Sequence, residues 1–192
     1  MSAKDIANAR VLIVDDNHTN IELLIALLEE AGYQYIEGVQ TPRLIDEKMA
    51  SFKPDLILLD YRMPELNGAE VLKHMKQTYG DDAPPMVMLT AQGDKETRLR
   101  SLELGATDFL TKPFDNEEIL QRLRNILQVH YRSQARRDAS LFYEAIASKR
   151  SAELEELVLE DMLTGLPNRR AILQEVNAMV RSDKGCSVVF LV

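Results

Sequence analysis

Short apolar runs alternate with amphipathic stretches over the first 115 residues. The runs are VLIVD (Val11–Asp15), YIEGV (Tyr35–Val39), DLILLD (Asp55–Asp60), MVMLT (Met86–Thr90) and TDFLT (Thr107–Thr111). Three of them, the first, third and fourth, are nearly continuous and aliphatic, as strands covered on both faces must be. Between the first two lies NIELLIALLEEAGY, in which Ile21, Leu24, Ile25, Leu28 and Ala31 fall at helical spacing and Gly32 supplies a stop. Similar spacing predicts helices over Pro42–Phe52, Gly68–Tyr79 and Asp94–Leu104, the last ended by Gly105. Pro84 and Pro85 stand before the fourth run, where a helix cannot continue. Strand and helix alternate five times, which predicts an α/β fold with a doubly wound parallel sheet and right-handed crossovers.

The pattern changes after Phe114. From Asn116 to Glu160 there is no Gly and no Pro, and good helix formers dominate. Asp115 or Asn116 suits the cap, and Glu117 and Glu118 suit the first turn. One helix here would be roughly 65 Å long at 1.5 Å per residue. Ile119, Leu123, Ile126 and His130 hold a 4-3 spacing, and so do Leu141, Ala145, Ser148, Ala152, Glu155 and Leu159. The two sets do not join in one frame, and the polar stretch Ser133–Asp138 is a place for a break. A helix of this length is marginal alone in water, which favours a dimer stalk over a solvated helix. Beyond it, DMLTGLPNRRAILQEVNAMV predicts a turn and a second helix capped by Asn168, with Ile172, Leu173, Val176 and Val180 on its apolar face. DKGC then predicts a turn, and SVVFLV a strand.

Composition narrows the classes. The 192 residues suffice for one domain with a full core plus an appendage, and 45% hydrophobic with 28% charged residues describes an ordinary globular chain. With 23 basic and 31 acidic residues the formal charge is −8, so nucleic acid is not the expected partner. No apolar stretch approaches the ~20 residues that span a bilayer, and MSAKDIANAR is not a signal peptide. A single cysteine, Cys186, excludes an internal disulfide. A soluble cytoplasmic protein that binds neither nucleic acid nor membrane is expected.

A doubly wound sheet places its site at the carboxyl ends of the strands. There stand Asp15-Asp16, Asp60, Thr90-Ala91 and Thr111-Lys112-Pro113, with no glycine-rich phosphate loop among them. Clustered carboxylates repel one another unless a cation sits among them, and hard oxygen ligands with open positions suit Mg²⁺. Lysine adds a point charge for phosphate oxygens, and threonine adds a donor. One carboxylate could then act as nucleophile and become an acyl phosphate. Asp60 fits best, because it ends the most apolar strand and enters the turn YRMPELNG, which Pro64 and Gly68 tighten. Singly, an acidic pair after a strand is a helix cap, Thr90 a strand end and Lys112 a solvated lysine; together on one edge they point to a phosphoacceptor.

VLIVDD, LILLDYRMPELNG, MLTA and FLTKPF resemble the receiver domain of two-component response regulators over roughly residues 9–130. The resemblance implies a flavodoxin-like sheet of order 2-1-3-4-5, with Asp60 as phosphoacceptor. It implies Asp15, Asp16, Asp60 and the backbone carbonyl of Arg62 at Mg²⁺, and Thr90 and Lys112 on the phosphoryl oxygens. Lys112–Pro113 would be cis. Thr90 and Phe109 would form the switch, with Phe109 lacking the hydroxyl of a tyrosine, and Arg62 and Gln92 would tune the acyl-phosphate lifetime. The implied partner is a sensor histidine kinase or a phosphotransfer protein, and a homodimer on phosphorylation.

The segment D-M-L-T-G-L-P-N-R-R at the end of the long helix is similar to the start of a diguanylate cyclase (GGDEF) domain, over roughly residues 157–192. The expected organisation is a receiver over residues 1–130, a helical linker over 131–160 and an N-terminal cyclase fragment over 161–192. The catalytic residues of that family would lie beyond Val192. The chain itself is therefore expected not to be an enzyme, while a longer parent would make cyclic diguanylate from GTP. A receiver adaptor acting through its helix is the alternative. A DNA-binding reading of NRRAILQEV is disfavoured by the low basic charge. His18, His74 and His130 read as surface or capping residues rather than phosphosites.

Overall fold

The computed structural model describes residues 6–64, 66–91, 95–157, 159–161 and 163–181, and of residues 95–98 and 152–157 the backbone alone. In chain order the elements are β1 (Arg10–Val14), α1 (His18–Glu30), β2 (Tyr35–Val39), α2 (Ile45–Ser51), β3 (Leu56–Asp60), α3 (Gly68–Tyr79), β4 (Met86–Ala91), α4 (Lys95–Glu103), β5 (Asp108–Lys112), α5 (Asn116–Leu157) and α6 (Arg169–Arg181). Short 3-10 turns, Pro42–Leu44 and Gly80–Asp82, precede α2 and β4. All strand pairs are parallel, in the order β2-β1-β3-β4-β5 expected for a flavodoxin-like receiver fold.

The central strands are buried on both faces, and their side chains alternate between two cores. Val11, Ile13, Leu56, Leu58, Val87 and Leu89 face one core, where they meet α1 through Ile21, Leu24 and Leu28 and α5 through Ile119, Leu123 and Leu127. Leu12, Val14, Ile57, Leu59, Met86 and Met88 face the other, where they meet Ile45 of α2 and Val71, Leu72 and Met75 of α3. Each such aliphatic side chain, fully buried, stabilises the fold by ~1.5–3 kcal/mol. The outer strands β2 and β5 are only half-buried, as edges are.

Local signals set the helix ends that frame the site. Asn17 caps α1 by accepting from the Thr19 N–H at 2.9 Å. Gly32, at φ +91°, ends it in the left-handed region that favours glycine. Asn67 and Glu70 form a reciprocal capping box at the start of α3, with both bonds at 3.0 Å.

Three expectations are refined. The helix expected over Pro42–Phe52 is a 3-10 turn followed by α2, because the Ile45 N–H bonds back to the Pro42 carbonyl before the α-helical pattern begins. The α4 helix ends at Glu103, one residue before the expected Leu104, and Asp94 lies outside the described residues. The α5 helix runs through Ser133–Asp138 without a break. Polarity does not interrupt a helix that lacks Gly and Pro.

Contacts divide the chain into two units, Met1–Ala135 and Arg136–Val192. In the second, Asp161 organises a turn: its Oδ1 accepts from the Leu163 N–H (3.1 Å), the Thr164 N–H (2.9 Å) and the Thr164 hydroxyl (2.8 Å). The Thr164 hydroxyl and N–H hold the Asp161 carboxyl below its ordinary pKa. Glu160 and Pro167 form an isolated antiparallel bridge, and Asn168 Oδ1 caps α6 by accepting from the N–H groups of Arg170 and Ala171. The expected DKGC turn and SVVFLV strand lie outside the described residues. Among the described residues, no helix is long and apolar enough to cross a membrane.

Candidate phosphoacceptor site

Strand register brings the candidate residues together. Val14 pairs with Leu59, so Asp15 and Asp60 leave adjacent strands at one level. Asp60 pairs with Leu89, Thr90 with Thr111, and Ala91 with Lys112. The row Asp15, Asp60, Thr90 and Lys112 thus stands at the carboxyl edge of four neighbouring strands.

Asp15 is fully buried, Asp60 nearly so at 6% exposure, and Asp16 is exposed. One ligand oxygen from each of the three lies within 4.8 Å of the others, a spacing that a single divalent cation can bridge. Lys112 Nζ donates to Asp15 Oδ2 at 2.8 Å and to Asp60 Oδ1 at 2.6 Å. Asp15 is further held by the Asn17 N–H (2.9 Å) and by the Asn20 amide on both carboxylate oxygens (3.1 and 3.0 Å). Asp60 Oδ2 accepts the Arg62 N–H at 3.0 Å.

Burial pushes the Asp60 carboxyl above its ordinary pKa, and the bond from Lys112 offsets this only in part. Burial also works against the charge on Lys112, but its bonds to Asp15 and Asp60 outweigh it and raise the lysine pKa. The ammonium therefore stays charged and neutralises much of the carboxylate repulsion.

The other expected residues fall around this centre. Thr90 is buried at 2% exposure, and its hydroxyl donates to the Leu110 carbonyl of β5 at 3.3 Å. Arg62 meets Asp60 through its backbone N–H. Phe109 is half-buried against the Met88 side of the sheet, and its N–H donates to its neighbour Asp108. The Lys112–Pro113 bond is cis. Gln92 lies outside the described residues. Of the histidines, His74 pairs with Asp46 at 2.9 Å and His18 lies 3.5 Å from Glu22, both on the surface.

Three contributors escaped the sequence reading. Asn17 and Asn20 anchor Asp15, and the cap position before α1 was the available signal for Asn17. Phe114 places its ring under Lys112 Nζ, 5.9 Å from the ring centre, and nothing in the sequence pattern marked that contact.

Residues 11–124 match the family described as "Response regulator receiver domain". The chain is 36% identical over 119 residues to the phosphate regulon transcriptional regulatory protein PhoB of Escherichia coli, a match covering 62% of this chain and 52% of that protein. It is 41% identical over 122 residues to the transcriptional regulatory protein CpxR of Escherichia coli, covering 62% and 49%. The chain thus spans about half the length of these curated relatives. Among solved structures it is similar to the chemotaxis response regulator CheY4 of Vibrio cholerae, with a TM-score of 0.56 and 30% identity over 62% of this chain and 98% of that one.

Proposed function

The chain belongs to the response regulator receiver domain family and carries the receiver of a two-component response regulator, and from that membership we propose that Asp60 is the phosphoacceptor. Receiver domains are phosphorylated by histidine kinases, so the proposed donor is a phosphohistidine on such a kinase or on a phosphotransfer protein. An Asp60 oxygen attacks phosphorus, the phosphorus–nitrogen bond breaks, and its electron pair returns to the imidazole. Asp60 becomes an acyl phosphate. Lys112, already on Asp60 at 2.6 Å, passes to the phosphoryl oxygens, and the Thr90 hydroxyl turns from Leu110 to donate to them.

Asp15, Asp16 and Asp60 have the donor chemistry and spacing for a hard divalent cation. They would hold Mg²⁺ together with the Arg62 carbonyl. Bound there, the ion supplies charge neutralisation for the incoming phosphoryl group. The observation that carries this reading is the Lys112 ammonium bridging two buried carboxylates. Incubation with acetyl phosphate and Mg²⁺ tests it: the unmodified chain takes up hydroxylamine-labile phosphate and Asp60→Asn does not. Equal uptake by both would overturn it.

We further propose a cytoplasmic setting and an output through α5. The segment D-M-L-T-G-L-P-N-R-R supports a diguanylate cyclase domain in a longer protein, with this chain holding no cyclase centre of its own. Leu141 of α5, on the 4-3 spacing, is 65% exposed, which supports a helix that pairs, as a homodimer stalk, over one that is solvated. Sequencing the gene past codon 192 tests the first point, by the presence or absence of an in-frame Gly-Gly-Asp/Glu-Glu-Phe segment. Light scattering with and without beryllofluoride tests the second: unchanged mass and shape exclude the dimer switch and leave the adaptor reading. The transcriptional regulators resemble this chain over 119 and 122 residues. A gel shift with DNA would move the output to their class.

A further inference from the structure

We infer that Phe114 is a positioning residue for Lys112, holding the ammonium over the site by a cation–π contact. The inference rests on the phosphoacceptor reading of Asp60 and adds the means by which its lysine stays in place.

Lys112 ends β5 on a flexible four-carbon stem. Three partners confine its Nζ: Asp15 at 2.8 Å, Asp60 at 2.6 Å, and the Phe114 ring, whose centre lies 5.9 Å below it. The distance is within the range for a cation over a ring face. The ring is itself fixed. It packs against the core cluster formed by β1, β3, α1 and α5, and the next residue, Asp115, caps α5 by accepting the Glu118 N–H at 2.9 Å.

The three partners differ in what the reaction does to them. Asp60 gives up its carboxylate charge when it takes the phosphoryl group. Asp15 shares its oxygens with any cation held by the acidic cluster. The ring face is altered by neither event. It therefore restrains Lys112 through the interval in which the lysine leaves one anion for another, and it does so without competing for a hydrogen bond.

The experiment has two readouts. In the unphosphorylated protein, NMR should show the Lys112 ε-protons shifted upfield by the ring current, and the shift should vanish in Phe114→Leu, which keeps the apolar volume. Phosphate uptake from acetyl phosphate at saturating Mg²⁺ is then measured with mono-, di- and trifluorophenylalanine at position 114. Fluorine withdraws charge from the ring face with little change of shape. The rate should fall stepwise, by about fivefold at the trifluoro ring and in Phe114→Leu. Phe114→Tyr should restore it, while the Mg²⁺ dissociation constant stays within about twofold throughout. A flat fluorine series, or no ring-current shift in the unmodified chain, overturns the inference. Should the unmodified chain take up no phosphate, the Asp60 reading fails, and the ring-current shift alone decides whether Phe114 holds Lys112.

Discussion

Lys112 donates to Asp60 at 2.6 Å across the width of β4, joining the ends of two strands that are not neighbours. The same ammonium serves Asp15, so it is the internal counter-charge of the two buried carboxylates. Lys112→Met should leave two buried carboxylates without it and destabilise the metal-free protein by about 2–3 kcal/mol, less than the ~3–5 kcal/mol of a fully buried broken pair because Lys112 is partly exposed. Mg²⁺ binds the native state and should recover more stability in the variant than in the parent. Urea unfolding in chelator and in Mg²⁺ measures both. Equal gains from Mg²⁺ would show that Lys112 does not stand in for the cation.

The raised pKa of Asp60 gives a signed pH dependence. A group whose folded pKa exceeds its unfolded one favours the fold below the unfolded value, near 3.8, and loses that contribution as pH rises through the folded value. Without a divalent cation, Asp60→Asn should therefore be at least as stable as the parent at pH 7 and gain nothing at pH 3. Denaturant midpoints at the two pH values check this. The corollary concerns binding: a protonated carboxyl is no ligand, so the Mg²⁺ dissociation constant should rise as pH falls toward the raised Asp60 value.

Gly68 opens α3 directly against the strand that carries Asp60. A Cβ built there would stand 2.6 Å from the Asp60 carbonyl oxygen and 3.0 Å from Tyr61 Cα, both backbone atoms that cannot step aside cheaply. Room, not dihedral freedom, demands glycine here. Gly68→Ala should cost about 1–3 kcal/mol as an overpacked site and slow phosphate uptake by shifting Asp60. Thermal unfolding and the uptake assay read the two effects. An unchanged uptake rate would show that the end of β3 tolerates the shift.

Much of this was legible because the central strands are nearly pure aliphatic and the polar residues at their ends break that pattern. Asp15, Asp60 and Thr90 each close a buried run, so their common edge followed from the parallel sheet. The edge strand β5 was harder. Its half-buried pattern put the expected strand at Thr107–Thr111 rather than at Asp108–Lys112. What the pattern could not carry were bonds set by rotamers and by long-range closure. The Lys112–Asp15 pair spans 97 positions in the chain, and the engagement of Thr90 with Leu110 depends on which way one hydroxyl points. In α5, the sequence left open whether the helix breaks at Ser133–Asp138, because polarity says where a helix meets solvent and not where it ends.

Tyr33 presents the opposite case to the acidic cluster, a buried polar atom that the fold does not use. The residue is 4% exposed, and its buried hydroxyl has no hydrogen-bond partner among the described residues. Burial raises its pKa, against a smaller opposing pull from Arg124. Removing an unsatisfied buried hydroxyl while keeping the ring relieves a desolvation penalty, so Tyr33→Phe should stabilise the protein by about 1 kcal/mol at neutral pH. The sign of the alkaline limb follows from the same burial. The unfolded tyrosine ionises near pH 10 while the folded one stays neutral, so this residue makes the parent lose stability as pH rises through and beyond 10. Tyr33→Phe lacks that loss, and its advantage should widen above pH 10. Denaturant unfolding at pH 7 and pH 11 tests the pair of statements. A destabilised variant at pH 7 would mean that the hydroxyl has a partner in solution, and an advantage that does not widen would mean that Tyr33 ionises as readily in the fold as outside it.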